Sequence, residues 1–170
     1  MLSLVIGGSG SGKSAFAEAL AQKLDGPKIY LATMAPDDGE SLARIARHRR
    51  LREGKGFVTL ECPTALEAAA LPPKANVLLE DLPNLLANEL YRPEGRGAAA
   101  VSAELAALEA RCAHLTVVSG DLFSGGSDYA GETLEYLRRL AALHRQLAAK
   151  ADLAVELVCG VPNILKGELP

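Results

Sequence analysis

The sequence has no tryptophan, and its only phenyl and phenol rings are three phenylalanines and four tyrosines. Because 49% of the residues are hydrophobic but only 4% are aromatic, the interior must be filled by Ala, Leu, Val and Ile. No apolar run approaches the roughly 20 residues that cross a bilayer, so no membrane span is expected. The chain opens directly into a strand pattern with no basic stretch or cleavage site ahead of it. A secretory leader is therefore not expected. Cysteine is scarce too: Cys62, Cys112 and Cys159 are odd in number and widely scattered. They form neither a zinc spacing nor a disulfide framework and are expected to be small core residues in a reducing cytoplasm. Repeats, linkers and low-complexity tracts are also missing. At 170 residues, the expectation is a single domain over 1–170 with a three-layer core.

Charge of either sign is modest overall, at −3, but unevenly placed. Residues 44–55 carry Arg44, Arg47, Arg49, Arg50, Arg52 and Lys55 against Glu53 alone, which makes that segment +5 and the rest −8. A basic island in an acidic chain suits a compact anion; a nucleic-acid backbone needs a broader basic face.

Residues 7–14 read Gly7-Gly8-Ser9-Gly10-Ser11-Gly12-Lys13-Ser14, after the apolar run 2–6 and before a helical pattern. This is the phosphate-binding loop G-x-x-x-x-G-K-[ST] between a strand and a helix. Glycine-rich backbone wraps a phosphate chain without Cβ collisions, and the helix N-terminus directs partial positive charge at the anion. Lys13 adds a full charge for the β- and γ-phosphates, and the Ser14 hydroxyl can ligate Mg²⁺. The motif points to a nucleoside triphosphate.

Periodicity predicts strands at 2–6, 28–33, 57–61, 76–82, 115–119 and 153–159. Helices are predicted at about 13–24, 39–53, 64–71, 83–91, 98–112 and 128–151, with an exposed loop at 93–97. Several strands are continuous apolar runs, as in a parallel sheet covered on both faces. The expected fold is α/β with a mostly parallel, doubly wound sheet and ligands at its C-terminal edge.

Three groups outside the loop carry chemical signal. Glu80 and Asp81 close an apolar strand where a P-loop protein places an acid for the metal. Strand alternation should send them to opposite sides. On the helix 39–53, Arg44, His48 and Arg52 fall on one stripe, with Leu42 and Ala46 free to face the core. Arginines around His48 disfavour imidazolium, which leaves a neutral nucleophilic ring beside guanidiniums that hold oxyanions. Asp121 is a candidate by position, at the carboxyl end of the strand 115–119. His114 is read as structural or solvated, and His144 as part of a charged outer face.

In this order the motifs resemble the bifunctional adenosylcobinamide kinase/adenosylcobinamide-phosphate guanylyltransferases of cobalamin biosynthesis. The resemblance rests on 7–14, Ala17-Glu18, Tyr30 to Thr33, Arg44-Ile45-Ala46-Arg47-His48 with Arg52, and Thr59 to Pro63. It continues through Val77 to Leu82 and Asn88, then Ala151-Asp152, Gly160-Val161-Pro162 and Leu165-Lys166. It implies a P-loop fold of RecA type and a homo-oligomer, with a trimer as the form the family suggests. It also implies phosphorylation of adenosylcobinamide by ATP or GTP, then GMP transfer from GTP to adenosylcobinamide phosphate through a guanylylated His48. Implied nucleotide contacts are Gly7 to Ser14, Ala32, Thr33, Met34, Arg49, Arg50, Leu51, Arg52, Glu61 and Glu80, with Ser14 and Glu80 or Asp81 toward the metal. The chain departs from the family at Glu80-Asp81, at Gly120-Asp121 and around Tyr136 to Arg145. A simple P-loop small-molecule kinase, or a nucleotide-dependent switch, are the alternative readings of the same residues.

Overall fold

The computed structural model describes residues 1–123 and 128–170. Its elements are β1 (Leu2–Gly7), α1 (Lys13–Gln22), β2 (Lys28–Ala32), α2 (Gly39–Arg52), β3 (Phe57–Glu61), β4 (Asn76–Glu80), α3 (Leu82–Tyr91), α4 (Ala98–Arg111), β5 (His114–Gly120), α5 (Gly131–Lys150), β6 (Leu153–Val158) and β7 (Val161–Lys166). The strands form one sheet in the order β3-β2-β4-β5-β1-β6-β7, in which every pairing is parallel except β6–β7. β5 lies between the P-loop strand β1 and the acid-bearing β4, as in the RecA type. Among the described residues, no helix is long and apolar enough to cross a membrane.

Alternation along the strands builds two cores. Leu2 and Leu4, Ile29 and Leu31, Val77 and Leu79, and Leu115 and Val117 face α3, α4 and α5. Val5, Tyr30, Leu78 and Val118 face the other way, toward Ala17 and Leu20 of α1. Period-two geometry then decides a functional matter. Glu80, two residues after Leu78, shares the α1 face and can reach the start of α1.

Three expectations are corrected. The run 64–71 is not a helix but a single 3₁₀ turn over Leu66–Ala68. Buried Glu89 and Glu104 accept the backbone N–H groups of Ala65 and Leu66 from outside the segment, and Pro72-Pro73 follows. β7 was not anticipated, since the last strand expected from periodicity is 153–159. Proline is tolerated on an edge strand, where no ladder partner needs its N–H. Leu42 and Ala46 do not face the core, since both are exposed and Arg52 is the only buried residue of α2. The 93–97 loop is exposed as expected, and it is also anchored. Gly95 packs so closely on the end of α3 that a Cβ there would lie 2.5 Å from Glu89 O, and Arg96 pairs with Glu67 and Glu104.

Candidate active site

The P-loop leaves β1 at Gly7, where a side chain would press against Leu157 O at 2.8 Å. It enters α1 through Gly12, whose φ of 90° lies in the left-handed region that favours glycine. Lys13 Nζ donates to Gly8 O at 3.1 Å, folding over the loop. One residue on, the Ser14 hydroxyl donates to Glu80 Oε1. Glu80 Oε2 is buried with no hydrogen-bond partner among the described residues. Burial pushes the Glu80 carboxyl above the usual carboxylate range, against the opposing Ser14 hydrogen bond. A buried carboxylate with one unmatched oxygen beside a P-loop serine fits a divalent cation with hard oxygen ligands.

Asp81 turns elsewhere. Its Oδ1 accepts from Asn84 N at 2.8 Å and Asn84 Nδ2 at 2.8 Å, which makes it the N-cap of α3. Burial raises its carboxyl, with Lys13 and Arg44 among the opposing influences. Thr33 is occupied in the same place, since its hydroxyl donates to Asp81 O at 2.8 Å and accepts from Asp81 N at 2.7 Å.

The second wall is α2. Arg52 is buried with its guanidinium carbon 3.5 Å from the Tyr30 ring centroid, and Nη2 donates to Thr59 Oγ1 at 3.5 Å. Its Nε and Nη1 are buried without a partner among the described residues. Buried polar groups are almost always matched, so two unmatched guanidinium N–H vectors fit an incoming oxyanion. One turn before it, His48 is half-buried. Its pKa is lowered first by burial and then by Arg52, Arg44 and Arg47. Its ring is therefore neutral at pH 7 and keeps a lone pair.

These groups line one cavity of about 410 Å³. Ser9, Gly10, Gly12, Lys13 and Ser14 form one side of it, and Arg44, His48, Leu51 and Arg52 the other, with Glu80, Asp81 and Glu61 also lining it. Ala32 and Met34 line the cavity too, whereas Gly7, Gly8, Ser11, Thr33, Arg49 and Arg50 are not among its lining residues. Arg49 is instead in a surface ion pair with Glu61 at 2.7 Å, and Arg50 is exposed. Ala15, Tyr30, Ile45, Arg47 and Asn84 also line the cavity and were not among the expected site residues. Tyr30 had a usable signal, because it lies two residues before Ala32 on the same face of β2.

The remaining candidates are placed away from this cavity. His144 is not on a charged outer face, because it is buried with Nε2 2.6 Å from Ser119 Oγ and the Phe123 ring edge-on at 5.6 Å. His114 is buried, with Nε2 2.8 Å from Ser3 Oγ. Asp121 accepts from Phe123 N at 3.0 Å and is not among the lining residues. Of the cysteines, Cys62 is buried and Cys112 partly so, but Cys159 is exposed on the β6–β7 turn and is no core residue.

A family model described as cobinamide kinase / cobinamide phosphate guanyltransferase matches residues 3–165. The bifunctional adenosylcobalamin biosynthesis protein CobP of Pseudomonas aeruginosa is 34% identical over 177 residues, covering 99% of this chain and 99% of that protein. The bifunctional adenosylcobalamin biosynthesis protein CobU of Salmonella typhimurium is 39% identical over 95 residues, covering 54% of this chain and 51% of that protein. Among solved structures, the P4 protein from bacteriophage phi6 in complex with ADP aligns with a TM-score of 0.41 at 15% identity. That alignment covers 95% of this chain and 52% of the P4 chain.

Proposed function

Since this chain belongs to the cobinamide kinase / cobinamide phosphate guanyltransferase family of enzymes, we propose that its one nucleotide cavity serves two successive transfers, the second by way of His48. The observation that carries this reading is that His48, Arg52, Lys13, Ser14 and Glu80 all line the same 410 Å³ cavity.

In the first transfer, ATP or GTP lies on the P-loop, and the acceptor hydroxyl of adenosylcobinamide attacks the γ-phosphorus. A P–O bond forms to the acceptor as its O–H bond breaks and the proton passes to solvent, the β–γ bridging P–O bond breaks, and the nucleoside diphosphate leaves with its electron pair. Lys13 follows the charge on the β- and γ-oxygens, and the loop amides hold the chain of phosphates. Ser14 and Glu80 would hold Mg²⁺, which when bound neutralises charge developing on the phosphate oxygens. The unmatched Glu80 Oε2 favours Glu80 over Asp81 in that role.

In the second transfer, a neutral His48 nitrogen attacks the α-phosphorus of GTP. A P–N bond forms, the α–β bridging P–O bond breaks, and pyrophosphate leaves. A phosphate oxygen of adenosylcobinamide phosphate then displaces the histidine, giving the GDP-linked product and returning the lone pair to the ring. The free Nε and Nη1 of Arg52 would receive the oxygens of the α-phosphoryl group. A cytoplasmic location and a homo-oligomer, with a trimer as the form the resemblance implies, belong to the same proposal.

Labelling by GTP tests it. With ³²P in the α-position, the wild type should acquire an acid-labile, alkali-stable protein-bound label, and His48→Ala should acquire none. The same variant should still move γ-phosphate to adenosylcobinamide, because that step needs no histidine nucleophile. Uptake of α-label by His48→Ala at the wild-type rate would overturn the covalent role and leave the plain kinase reading.

A further inference from the structure

The acceptor needs a foothold of its own, since the nucleotide cavity is walled by phosphate-binding groups. A second cleft of about 420 Å³ lies between the last turn of α3 and the first turns of α5, lined by Leu90, Tyr91, Glu132, Glu135, Tyr136 and Arg139. In a chain with four tyrosines and no tryptophan, two tyrosines meet here. Their ring centroids are 6.5 Å apart at an interplanar angle of 35°. Tyr91 is 57% exposed, a large apolar face open among the described residues. Tyr136 is fixed, because its hydroxyl donates to Pro83 O at 2.9 Å.

The cleft adjoins the nucleotide cavity through shared elements. Asp81 and Asn84, at the start of α3, line the nucleotide cavity, whereas Leu90 and Tyr91, at its end, line the cleft. Asn84 and Tyr91 are separated by about 10 Å of helix axis. The Tyr136 hydroxyl, anchored at Pro83, feels the charge of Asp81. Leu122, 40% exposed, reaches the same end beside Gly120 and Pro83.

We propose that this cleft binds the acceptor, with its flat conjugated macrocycle stacked on Tyr91 and Tyr136 and its hydroxyl arm directed along α3 toward the P-loop. The inference rests on the kinase and guanylyltransferase reading above. A corrinoid presents a broad ring with peripheral amide arms. Aromatic faces suit the ring. Glu132 and the Glu135–Arg139 ion pair supply acceptors and donors for the amides. A molecule seated there would have its reactive end near the γ-phosphate first and the guanylylated His48 second, without leaving its ring site.

Equilibrium dialysis of adenosylcobinamide, read by its visible absorbance, tests the assignment beside GTP binding and α-label uptake in the same preparations. Tyr91→Ala and Tyr136→Ala should each bind adenosylcobinamide about tenfold more weakly than wild type. Tyr91→Phe should bind normally, and all three should bind GTP and label His48 as wild type does. Wild-type corrinoid affinity in both alanine variants would overturn the cleft while leaving the two activities standing. Labelling of His48 without any corrinoid binding by the wild type would overturn the acceptor class itself, and the cleft with it.

Discussion

Glu80 and Asp81 are neighbours in the chain and differ in almost everything else. Glu80 follows the α1 face of β4 and receives the Ser14 hydroxyl, with Oε2 left over. Asp81 has left the strand and caps α3. Glu80→Gln keeps the shape but removes the charge that a cation requires. It should lower Mg²⁺-dependent turnover by about two orders of magnitude, roughly 2.7 kcal/mol of transition-state stabilisation. Asp81→Asn keeps a capping oxygen and should stay within about threefold of wild type, whereas Asp81→Ala should cost about 1 kcal/mol of folding stability. Steady-state rates against Mg²⁺ concentration, with urea unfolding of the same proteins, separate these outcomes. Equal rate losses in Glu80→Gln and Asp81→Asn would refute the division of labour.

His48 makes a pH prediction at the same scale. Its folded pKa lies below the ordinary value near 6.5, through burial first and the three arginines second. The nucleophilic form therefore persists at and below neutral pH, and is lost only as pH falls through the lowered pKa. The rate of α-label uptake should fall with decreasing pH, with its midpoint below pH 6.5. A midpoint at or above pH 6.5 would contradict the environment described for this ring.

At the scale of elements, α2 is the unusual piece. It is capped at its start, with Asp38 accepting from Ser41 N at 2.7 Å, and carries Glu40 in its first turn. Yet Arg52 is the only residue it buries. Its C-terminal end is held by Arg52 on Tyr30, and the turn after it by the ion pair of Lys55 with buried Glu18. The end of the helix that carries His48 is thus fixed by charged groups. Arg52→Met retains much of the apolar stem but neither the stacking cation nor the two free N–H groups. Label uptake at His48 should fall at least tenfold in that variant, while GTP still binds on the P-loop. Arg50→Ala, at an exposed position outside the cavity lining, should label within about twofold of wild type. The ordering of these two variants in a single-turnover labelling assay decides between a site on the inner face of α2 and a diffuse basic surface.

For the molecule as a whole, two buried Ser–His pairs set an acid limit. Ser3 with His114 and Ser119 with His144 tie β1 to β5 and β5 to α5. Burial lowers both histidine pKa values, with the N-terminus acting in the same sense on His114. A base whose folded pKa is depressed stabilises the fold fully above the unfolded value near 6.5. That stability is lost as pH falls below it, by at most about 1.4 kcal/mol per pH unit for each proton taken up. The urea midpoint should therefore drop between pH 7.5 and 5.5, and the drop should shrink in His144→Gln. An equal drop in that variant would remove His144 from the account.

Much of the site is local in sequence, and that part could be read from the chain alone. The P-loop needs its strand, glycines, lysine and serine within a dozen residues, and all of them are consecutive. Period-two geometry placed Glu80 and Asp81 on opposite sides of their strand, but the packing of Leu78 against α1 decided that Glu80 takes the P-loop side. The stripe of Arg44, His48 and Arg52 follows from 3.6-residue periodicity. What the chain alone did not determine depends on partners distant in sequence. His144 is buried because Ser119 and Phe123 cover it, and Cys159 is exposed because the β6–β7 turn projects it. The run 64–71 forfeits its helix to carboxylates of α3 and α4, and β7 exists because β6 offers it an edge. In the same way, the face of Tyr30 was legible from Ala32, but its partner Arg52, more than twenty residues later, was not. Local periodicity fixes which way a side chain points along its own element, but tertiary packing decides what it meets.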